Sequence, residues 1–506
     1  MKGLQMHNVL RSAALTCAAV VVAACASTAD SPRYIVVQSP PAAPEPAPVI
    51  PEVTAPAALP PCPRATALDP QQLTDEAACL LAQYVRIDTT NPPGNELAAA
   101  EFLQAVLARD GIESQRLEPA PGRANLIARL PGTSAGKAIA LSHHMDVVPA
   151  TASEWSVPPF EAATRDGYLW GRGSLDNKAG GIIGVLTMAI AKRLGKPLPR
   201  ELVVLAVADE EAGSGQGTRW LTAQHPEVLQ NIEYVLNEGG AIIKAGPDRF
   251  AYSVELAQKA PLWLRITARG ESGHGSAPTP TAATARLARA LGHLADYRFP
   301  IVVLPEVQAL YAAKAMTLPE PLREGARDLT AALKKPKFRD AFMADPHHAG
   351  LVQNTLAITM LQGSDKENVI PSEASAVLDL RILPGQDAAA VTAEVARVIG
   401  DSTIEVKATL TWQAQRSPRD TALFRAIEAY AAAHDPGAPV IANVIGGFTD
   451  CNAYRAHGIT CYGFMPTRLA PELFAGIHGK DERVEINGLG PAIVELHALL
   501  ASLPAQ

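Results

Sequence analysis

From about residue 66 onward, the apolar positions of the chain alternate between helical spacing and short continuous runs. Helical spacing occurs at 71–85, 96–110 and 178–194, and the continuous runs include 138–142 and 202–207. Short apolar runs of this kind are typical of strands that are buried on both faces. The alternation predicts an α/β fold with a mainly parallel sheet, in which ligands bind beyond the carboxyl ends of the strands.

Side chains that can bind metal ions follow these strands. Each alone has an ordinary explanation, such as a helix N-cap for an aspartate that precedes a helix. Together they would repel one another or stay unpaired, whereas a pair of divalent cations would turn them into ligands. The residues are His144 and Asp146 after the run 138–142, Glu210 and Glu211 after 202–207, Glu238 after 234–236, and Asp176 before the helix at 178.

Three motifs around these residues resemble one enzyme family. They are HMDVVP at 144–149, GRGSLDNK at 171–178 and DEE at 209–211. They resemble the two-zinc exopeptidases and amidohydrolases, a family that includes aminoacylase, bacterial glutamate carboxypeptidase and succinyl-diaminopimelate desuccinylase. The likeness runs in order over nearly all of the chain from about residue 75 to 500, and it looks most like the carboxypeptidase S branch. It implies a catalytic domain of zinc-exopeptidase type with an inserted α+β lid or dimerisation domain.

The resemblance assigns metal ligands one residue at a time. His144 matches a ligand of one zinc, and Glu238 completes the ligands of that zinc. Glu211 and His478 match ligands of the other zinc, and Asp176 matches the carboxylate that bridges the two. Two Zn²⁺ ions are therefore the implied cofactor, with Co²⁺ or Mn²⁺ as alternatives.

The same resemblance separates the general base from the ligands. Glu210 matches the base that takes a proton from a metal-bridging water, which is the nucleophile. Asp146 matches the carboxylate that orients His144. His143 is offset by one residue and is predicted to be a neighbour, and Asn177 suits the strained, often cis, peptide that the family has there.

Substrate-binding residues are predicted in the lid, where strands and helices alternate between residues 262 and 414. His274 resembles the imidazole that steadies the oxyanion, sometimes from a partner subunit. Asn368 and Arg381 match residues that bind the carboxylate of the substrate, for which the arginine fork is physically suited. A homodimer through the lid is possible by the same resemblance.

Two further segments of the chain bear on the substrate cavity. The loop at 446–450 resembles one that lines the cavity, but Phe448 stands where the family has a small or polar residue, so Thr449 and Asp450 receive no role. Residues 299–352 exceed a minimal lid, and they are predicted to form extra helices that shape the substrate pocket.

The N-terminal region has the pattern of an exported protein. The apolar run 13–24 is too short to cross a bilayer but suits a signal peptide. The residues 22–25 resemble a bacterial lipobox in which Cys25 is the lipid anchor, and an ordinary cleaved signal is the alternative. Ala26 favours the outer membrane, at its periplasmic face, over the inner membrane. A soluble periplasmic or secreted protein remains the alternative.

These patterns divide the chain into five parts. They are a lipoprotein-type signal peptide at 1–25, a proline-rich tether at 26–65, the first catalytic part at 66–261, the lid at 262–414 and the second catalytic part at 415–506. The tether contains all 11 prolines between residues 32 and 63, and such a segment behaves as a semi-rigid extended spacer.

Charge and cysteine content narrow the picture further. A net charge of −7 and a pI near 6.0 argue against a nucleic-acid-binding surface, which needs a basic excess. Beyond the signal there are four cysteines, an even number that predicts two disulfides in an exported chain. Cys62 with Cys79 and Cys451 with Cys461 are the natural pairs by proximity, although three connectivities are possible.

The sequence therefore predicts a zinc-dependent hydrolase that cleaves an amide or peptide bond next to a free carboxylate. Its substrate would be a small peptide or an N-acyl amino acid. One alternative is an N-acyl amino acid synthase or hydrolase that acts on fatty acyl amides. A less favoured alternative is a non-catalytic periplasmic lipoprotein that binds peptides.

Overall fold

A computed structural model describes residues 61–505, apart from 247, 316–317 and 319. The predicted signal peptide, the Cys25 anchor and all but the end of the tether lie outside the described residues, so these roles and the location they imply stay predictions. Within the described part, every helix falls short of the length and apolar character needed to cross a membrane.

Ten strands of the described part form one mixed sheet, which is parallel at its centre. Its spatial order is β1-β2-β6-β3-β7-β17-β9-β8-β18, with β16 paired to β9. The predicted α/β fold with a mainly parallel sheet is confirmed. The strands are β1 Ser114–Ala120, β2 Arg123–Leu130, β3 Ala138–His144, β6 Leu202–Val207, β7 Ile232–Asn237, β8 Ile242–Gly246, β9 Arg249–Gln258, β16 Val440–Ile445, β17 Thr460–Gly463 and β18 Arg468–Leu469.

Helices cover both faces of this sheet, because alternate side chains of its central strands are apolar on both sides. Leu141 and Val204 point into the larger core, and Ala140 and Val203 point into the core on the opposite face. The helices of the larger core are α1 Pro70–Val85, α2 Glu96–Ala108, α3 Lys178–Arg193, α12 Ala422–His434 and α14 Leu489–Ala501, and those of the opposite face are α4 Thr218–Gln224 and α13 Cys451–Ala456.

Helix α3 packs unusually close to β3, and this approach depends on glycine. A methyl group added at Gly181 would lie 2.3 Å from the His143 ring. The close contact places the start of α3, which directly follows Asp176, against the strand that ends at His144.

The lid is a second, antiparallel sheet in the order β12-β14-β10-β15. Its strands are β10 Ala260–Arg269, β12 Thr355–Gln362, β14 Glu373–Ile382 and β15 Glu405–Thr411, and it packs against α5 Ala283–Asp296 and α11 Ala388–Ile399. Strand β12 forms one edge and exposes Met360 and Leu361; the predicted dimer contact stays a prediction.

Lys259 is the one residue between the end of β9 in the central sheet and the start of β10 in the lid. The buried Lys259 Nζ donates to the carbonyl oxygens of Gly350 and Gln353 at 3.0 and 2.9 Å, and to Thr355 Oγ1 at 3.2 Å. The Lys259 side chain therefore ties the junction of the two sheets to the segment that contains residues 350–355.

Smaller elements complete the fold. A two-stranded ribbon pairs β11 Gly273–His274 with β13 Val369–Ile370, and a three-stranded sheet contains β4 Ala163–Arg165, β5 Tyr168–Trp170 and β19 Arg483–Glu485. The predicted extra helices are α6 Pro305–Lys314, α7 Leu322–Gly325, α8 Leu329–Ala332, α9 Pro336–Met343 and α10 Pro346–Val352.

The extra helices build a core of their own behind β16, in which Val307 and Phe342 join Val444 of that strand. Among the described residues, none of those between 299 and 352 lines the substrate cavity. The prediction that they shape the pocket is therefore wrong as far as direct contact goes. They support β16, and the loop that follows this strand is the part that lines the cavity.

Both predicted disulfides are present. Cys62 pairs with Cys79, and Cys451 pairs with Cys461. The first joins the end of the predicted tether to α1, and the second joins α13 to β17.

Candidate metal centre

The predicted ligands meet at one edge of the central sheet. His144 is the last residue of β3, the Glu210–Glu211 pair follows β6, and Glu238 follows β7. Strand β3 lies between β6 and β7 and is parallel to both, so the carboxyl ends of the three strands are adjacent. The strand order of the sheet therefore brings these side chains together.

Asp176 lies between two imidazoles. Its Oδ1 is 3.0 Å from His144 Nε2, and its Oδ2 is 3.3 Å from His478 Nε2. Each imidazole also has its own second carboxylate: Glu238 Oε2 is 3.2 Å from His144 Nε2, and Glu211 Oε2 is 3.1 Å from His478 Nε2. The five predicted ligands therefore form two groups that share Asp176.

Donor atoms in this cluster are close enough to hold metal ions. Nitrogen and oxygen atoms of His144, Asp176 and Glu211 lie within 4.8 Å of one another, as do those of His144, Glu210 and Glu238. The set of imidazole and carboxylate donors is the one that Zn²⁺ and related divalent ions prefer. The residues present fit a pair of such ions.

The negative charges of the cluster also favour the binding of cations. Burial raises the pKa of Glu238 to about 7, and the charges of Asp176 and Glu211 add to this. Burial, followed by the charge of Glu238, raises the pKa of Glu210 well above its usual range. The buried Glu210 Oε1 has no hydrogen-bond partner among the described residues. Crowded carboxylates of this kind are favourable only when positive charge is brought among them.

His478 and His144 supply part of that positive charge. Hydrogen bonds to Asp176 and Glu211 raise the pKa of His478 to about 10. Burial opposes protonation of His144, but the charge of Glu238 and the neighbouring carboxylates still raise its pKa well above the usual value. Both imidazoles therefore donate to carboxylates in this arrangement, and a bound metal ion would replace their protons.

The loop that carries Asp176 is fixed by one buried carboxylate that sequence reasoning did not single out. Glu482 Oε1 accepts the main-chain N–H groups of Leu175 and Asp176 at 2.8 and 2.9 Å, and its Oε2 accepts Gly173 N at 3.0 Å and Arg172 Nη1 at 2.7 Å. The peptide bond between Asp176 and Asn177 is cis, as the resemblance implied. Glu482 is four residues from His478, and that spacing is the signal that could have identified it.

Asp146 contacts His144 mainly through its main chain. His144 Nδ1 is 2.9 Å from the Asp146 carbonyl oxygen and 3.5 Å from Oδ1. The carboxylate accepts the main-chain N–H groups of Glu210 and Glu211, both at 3.1 Å. Burial opposes ionisation, but the bonds and charge of His144 and the bond from Asn91 hold the pKa of Asp146 below its usual value. Asp146 thus ties the end of β3 to the turn after β6.

His143 lies outside the cluster, as the sequence predicts. Its Nε2 is 3.3 Å from the hydroxyl of Tyr84. Burial and the charge of His144 lower the pKa of His143 to about 3, so this imidazole is neutral at ordinary pH.

The cluster opens into a cavity of about 670 Å³. Apolar side chains form much of the rest of its wall, including Leu469, Phe474 and Ile477. The loop residues 446–449 line it too, as the resemblance predicted for this segment. Thr449, which received no predicted role, is buried and bonds Gln258 Oε1 through its hydroxyl at 2.9 Å.

The three predicted lid residues are placed differently from one another. Arg381 lines the cavity, 5.2 Å from the centre of the Phe448 ring, and pairs with Asp379 at 3.0 Å. His274 and Asn368 are exposed neighbours on the β11–β13 ribbon, where Gly275 N donates to the Asn368 carbonyl at 2.8 Å. Within the described part, neither of them lines the cavity. The lid carries them on its own ribbon, so the central sheet does not fix their position.

Comparison with known proteins agrees with this geometry. Residues 140–502 match the model of peptidase family M20/M25/M40. The chain is 28% identical to aminoacylase-1 of Sus scrofa over 438 residues, which are 84% of this chain and 95% of the relative. It is also 30% identical to the N-fatty-acyl-amino acid synthase/hydrolase PM20D1 of Xenopus tropicalis. That alignment spans 351 residues and covers 67% of each chain.

A solved structure shows the same fold. The M20 family metallo-carboxypeptidase Sso-CP2 of Sulfolobus solfataricus superposes with a TM-score of 0.66 at 18% identity, covering 85% of this chain and all of that one. These matches do not single out the carboxypeptidase S branch, which stays a prediction. The family model spans well over half of the chain. The protein therefore belongs to peptidase family M20/M25/M40 and is a hydrolase of peptide or other C–N bonds.

Proposed function

We propose that this protein hydrolyses an amide or peptide bond next to a free carboxylate, with two bound divalent metal ions. The observation that carries the proposal is the arrangement of Asp176 between His144 and His478, with Glu210 buried beside them. Similarity to aminoacylase-1 and to a metallo-carboxypeptidase supports this class of reaction.

The two groups of donors assign ligands to each ion. His144 and Glu238 would hold one ion, Glu211 and His478 the other, and Asp176 both. Zinc is the proposed metal, with cobalt or manganese as alternatives. Ions bound in this way polarise a carbonyl oxygen and lower the pKa of water.

Glu210 is proposed to move the proton. Its carboxylate is buried, lines the cavity and has one oxygen without a hydrogen-bond partner among the described residues. That oxygen can accept a proton from the attacking water and pass it to the leaving amine. Burial and the charge of Glu238 raise the pKa of Glu210 well above its usual range, which favours its taking up a proton.

Arg381 is proposed to bind the carboxylate of the substrate. It is the predicted carboxylate-binding residue that lines the cavity, and its planar fork can make paired hydrogen bonds to a carboxylate. In the structure Nε and Nη2 bind Asp379, which holds the guanidinium in place beside Phe448, and the proposed pair of bonds would use its remaining N–H groups. The apolar wall would take the acyl group or side chain of the substrate.

A second candidate function is synthesis or hydrolysis of N-fatty-acyl amino acids. Two observations favour it: the 30% identity to the Xenopus tropicalis enzyme of that name, and the half-exposed Phe474 beside Leu469 and Ile477 in the cavity wall. The non-catalytic alternative is not favoured, because Glu210 and all five proposed ligands are present.

The test combines metal analysis with matched substrates. We expect about two zinc or similar ions per chain by elemental analysis, loss of hydrolysis in a chelator, and recovery when zinc is restored. N-acyl amino acids should be hydrolysed, whereas the same compounds with the carboxylate amidated should not. Short-chain and long-chain acyl groups compared side by side separate the two candidate functions. Full activity in metal-free protein would refute the proposal.

A further inference from the structure

The turn that carries Glu210 and Glu211 begins with a residue in an unfavourable conformation. Asp209 has a φ of 66°, in the left-handed region that few residues other than glycine adopt. A conformation of this kind persists only where the surroundings hold it. The turn is short, because Gly213 ends the single helical turn of residues 210–212 with a φ of 100°.

Two buried carboxylates, those of Asp146 and Asp209, hold this turn in place. The Asp146 carboxylate accepts the N–H groups of Glu210 and Glu211, as described above. The Asp209 carboxylate accepts Arg123 Nη2 at 2.9 Å and the N–H of Gln216 at 3.0 Å. Together they fix the turn at its first residue, in its middle and beyond its end.

Asn91 joins the two carboxylates. Its Nδ2 donates to Asp146 Oδ2 at 2.8 Å and to Asp209 Oδ1 at 3.0 Å, and its side chain is almost fully buried. The Asn91 main chain is anchored independently, because its N–H donates to the Val147 carbonyl at 2.9 Å. The side-chain amide therefore stands at a fixed place between the carboxylates.

Asparagine has the chemistry that this place requires. A side-chain amide offers two donors and no charge, so each carboxylate receives one hydrogen. An aspartate could not donate to either and would add a third negative charge. Alanine would leave the Asp146 and Asp209 carboxylates facing each other without a donor between them. Asp146 Oδ2 would keep only the N–H of Glu211, and Asp209 Oδ1 only Arg123 Nη2, so each buried oxygen would lose one of its two hydrogen bonds.

We infer that Asn91 is a positioning residue, which holds Glu210 and Glu211 in place by bridging the carboxylates of Asp146 and Asp209. The inference rests on the proposed function for its catalytic consequence, but its effect on metal binding does not. A displacement of about 1 Å at a reacting group costs on the order of 100-fold in rate, and loss of support behind a metal ligand costs about 10–100-fold in metal affinity.

Asn125 provides a matched control. It is fully buried, and its side chain bonds the main chain outside the turn: Oδ1 accepts the N–H of Ala208, and Nδ2 donates to the Gln216 carbonyl, both at 3.0 Å. Its hydrogen bonds go to main-chain atoms rather than to the carboxylate pair. Asn125→Ala thus reports what the loss of a buried amide costs this region in general.

The experiment measures zinc affinity by calorimetry, unfolding by denaturant, and kcat and KM for Asn91→Ala, Asn91→Asp and Asn125→Ala in the full chain. We expect Asn91→Ala to weaken zinc binding at least tenfold and to lower kcat about 100-fold with KM within threefold. Asn91→Asp should lose more of both. Asn125→Ala should be destabilised to a similar degree as Asn91→Ala, with zinc affinity and kcat within threefold of the wild type.

The outcomes separate this inference from the proposed function. If Asn91→Ala binds zinc like the wild type, or if Asn125→Ala loses as much zinc affinity as Asn91→Ala, the positioning role is overturned. If the wild type hydrolyses none of the substrates but Asn91→Ala alone loses zinc affinity, the inference stands and the proposed function fails.

Discussion

The metal centre and the lid bring functional side chains to the cavity in different ways. In the metal centre, His144, the Glu210–Glu211 pair and Glu238 follow adjacent strands of one sheet, and they are buried or nearly so. In the lid, Arg381 reaches the cavity while His274 and Asn368 stay exposed on a separate ribbon. A single sheet fixes the relative positions of its strand ends, whereas two sheets joined at Lys259 leave the position of the second to other contacts.

The comparison predicts the largest effects in the metal centre. Glu210→Gln keeps the shape of the side chain but removes the proton acceptor, so turnover should fall by at least 10²–10⁴-fold, the contribution typical of a general base. Glu211→Gln should lose metal together with activity, and raising the zinc concentration should restore part of it. Metal content and kcat measured on both variants check the assignment.

Two results would break this assignment within the Glu210–Glu211 pair. If Glu210→Gln is the variant that loses metal, the roles of base and ligand are reversed. If both variants keep full activity, the cluster is not the active site.

Smaller effects are expected from the lid, and they should differ in kind. Arg381→Ala removes the proposed carboxylate contact, and we expect KM to rise about 10–100-fold, equivalent to about 1.4–2.7 kcal/mol. Arg381→Lys should recover only part of this, because lysine lacks the fork. For His274→Ala we expect a lower kcat with KM unchanged, as its resemblance to an oxyanion-stabilising imidazole implies.

The kinetics of His274→Ala also test whether the β11–β13 ribbon of the lid reaches the metal centre. A lower kcat would require the ribbon, of the same chain or of a partner subunit, to approach the metal centre during turnover, since His274 does not line the cavity in the structure. Unchanged kcat and KM would show that the ribbon stays outside, and the predicted role of His274 would be wrong.

The last expected effect concerns stability rather than activity: a pH dependence at the junction of the two regions. Burial lowers the pKa of Lys259 to about 7, with the charge of Arg381 adding to it, against about 10.4 for an unfolded lysine. Between these values the folded protein binds fewer protons than the unfolded chain, so this residue makes stability rise with pH. The gain is fully present above pH 10 and is lost as pH falls through 7.

The Lys259→Met variant isolates this contribution, because the methionine side chain cannot be protonated. We expect the difference in unfolding free energy, wild type minus variant, to grow between pH 7 and pH 10 by on the order of 1–3 kcal/mol. Urea unfolding of both proteins at several pH values measures it. Parallel curves for the two proteins would mean that Lys259 is charged in the folded state at pH 9.

The sequence predicts functional residues well where neighbouring strands place them and poorly where they act on distant loops. The strand-end ligands could be predicted because parallel neighbours place their carboxyl ends together, and the two disulfides because each pair is close in sequence. Asn91 could not, because it acts on a loop more than 100 residues away along the chain and nothing in its local sequence distinguishes it from a turn residue. Glu482 also acts on a distant loop, and its one sequence signal is its place four residues after the predicted ligand His478.

In the sequence, the lid is inserted between strands β9 and β16 of the central sheet. This order has a consequence for the synthesis of the chain. Four of the five proposed ligands have been synthesised when residue 238 leaves the ribosome, but His478 follows 240 residues later, after the whole lid and strands β16 to β18. At about 5–20 residues per second this interval lasts roughly 10–50 s. A chain released before residue 440 therefore lacks both the last imidazole and three strands of its sheet, and we expect such an incomplete product to be inactive.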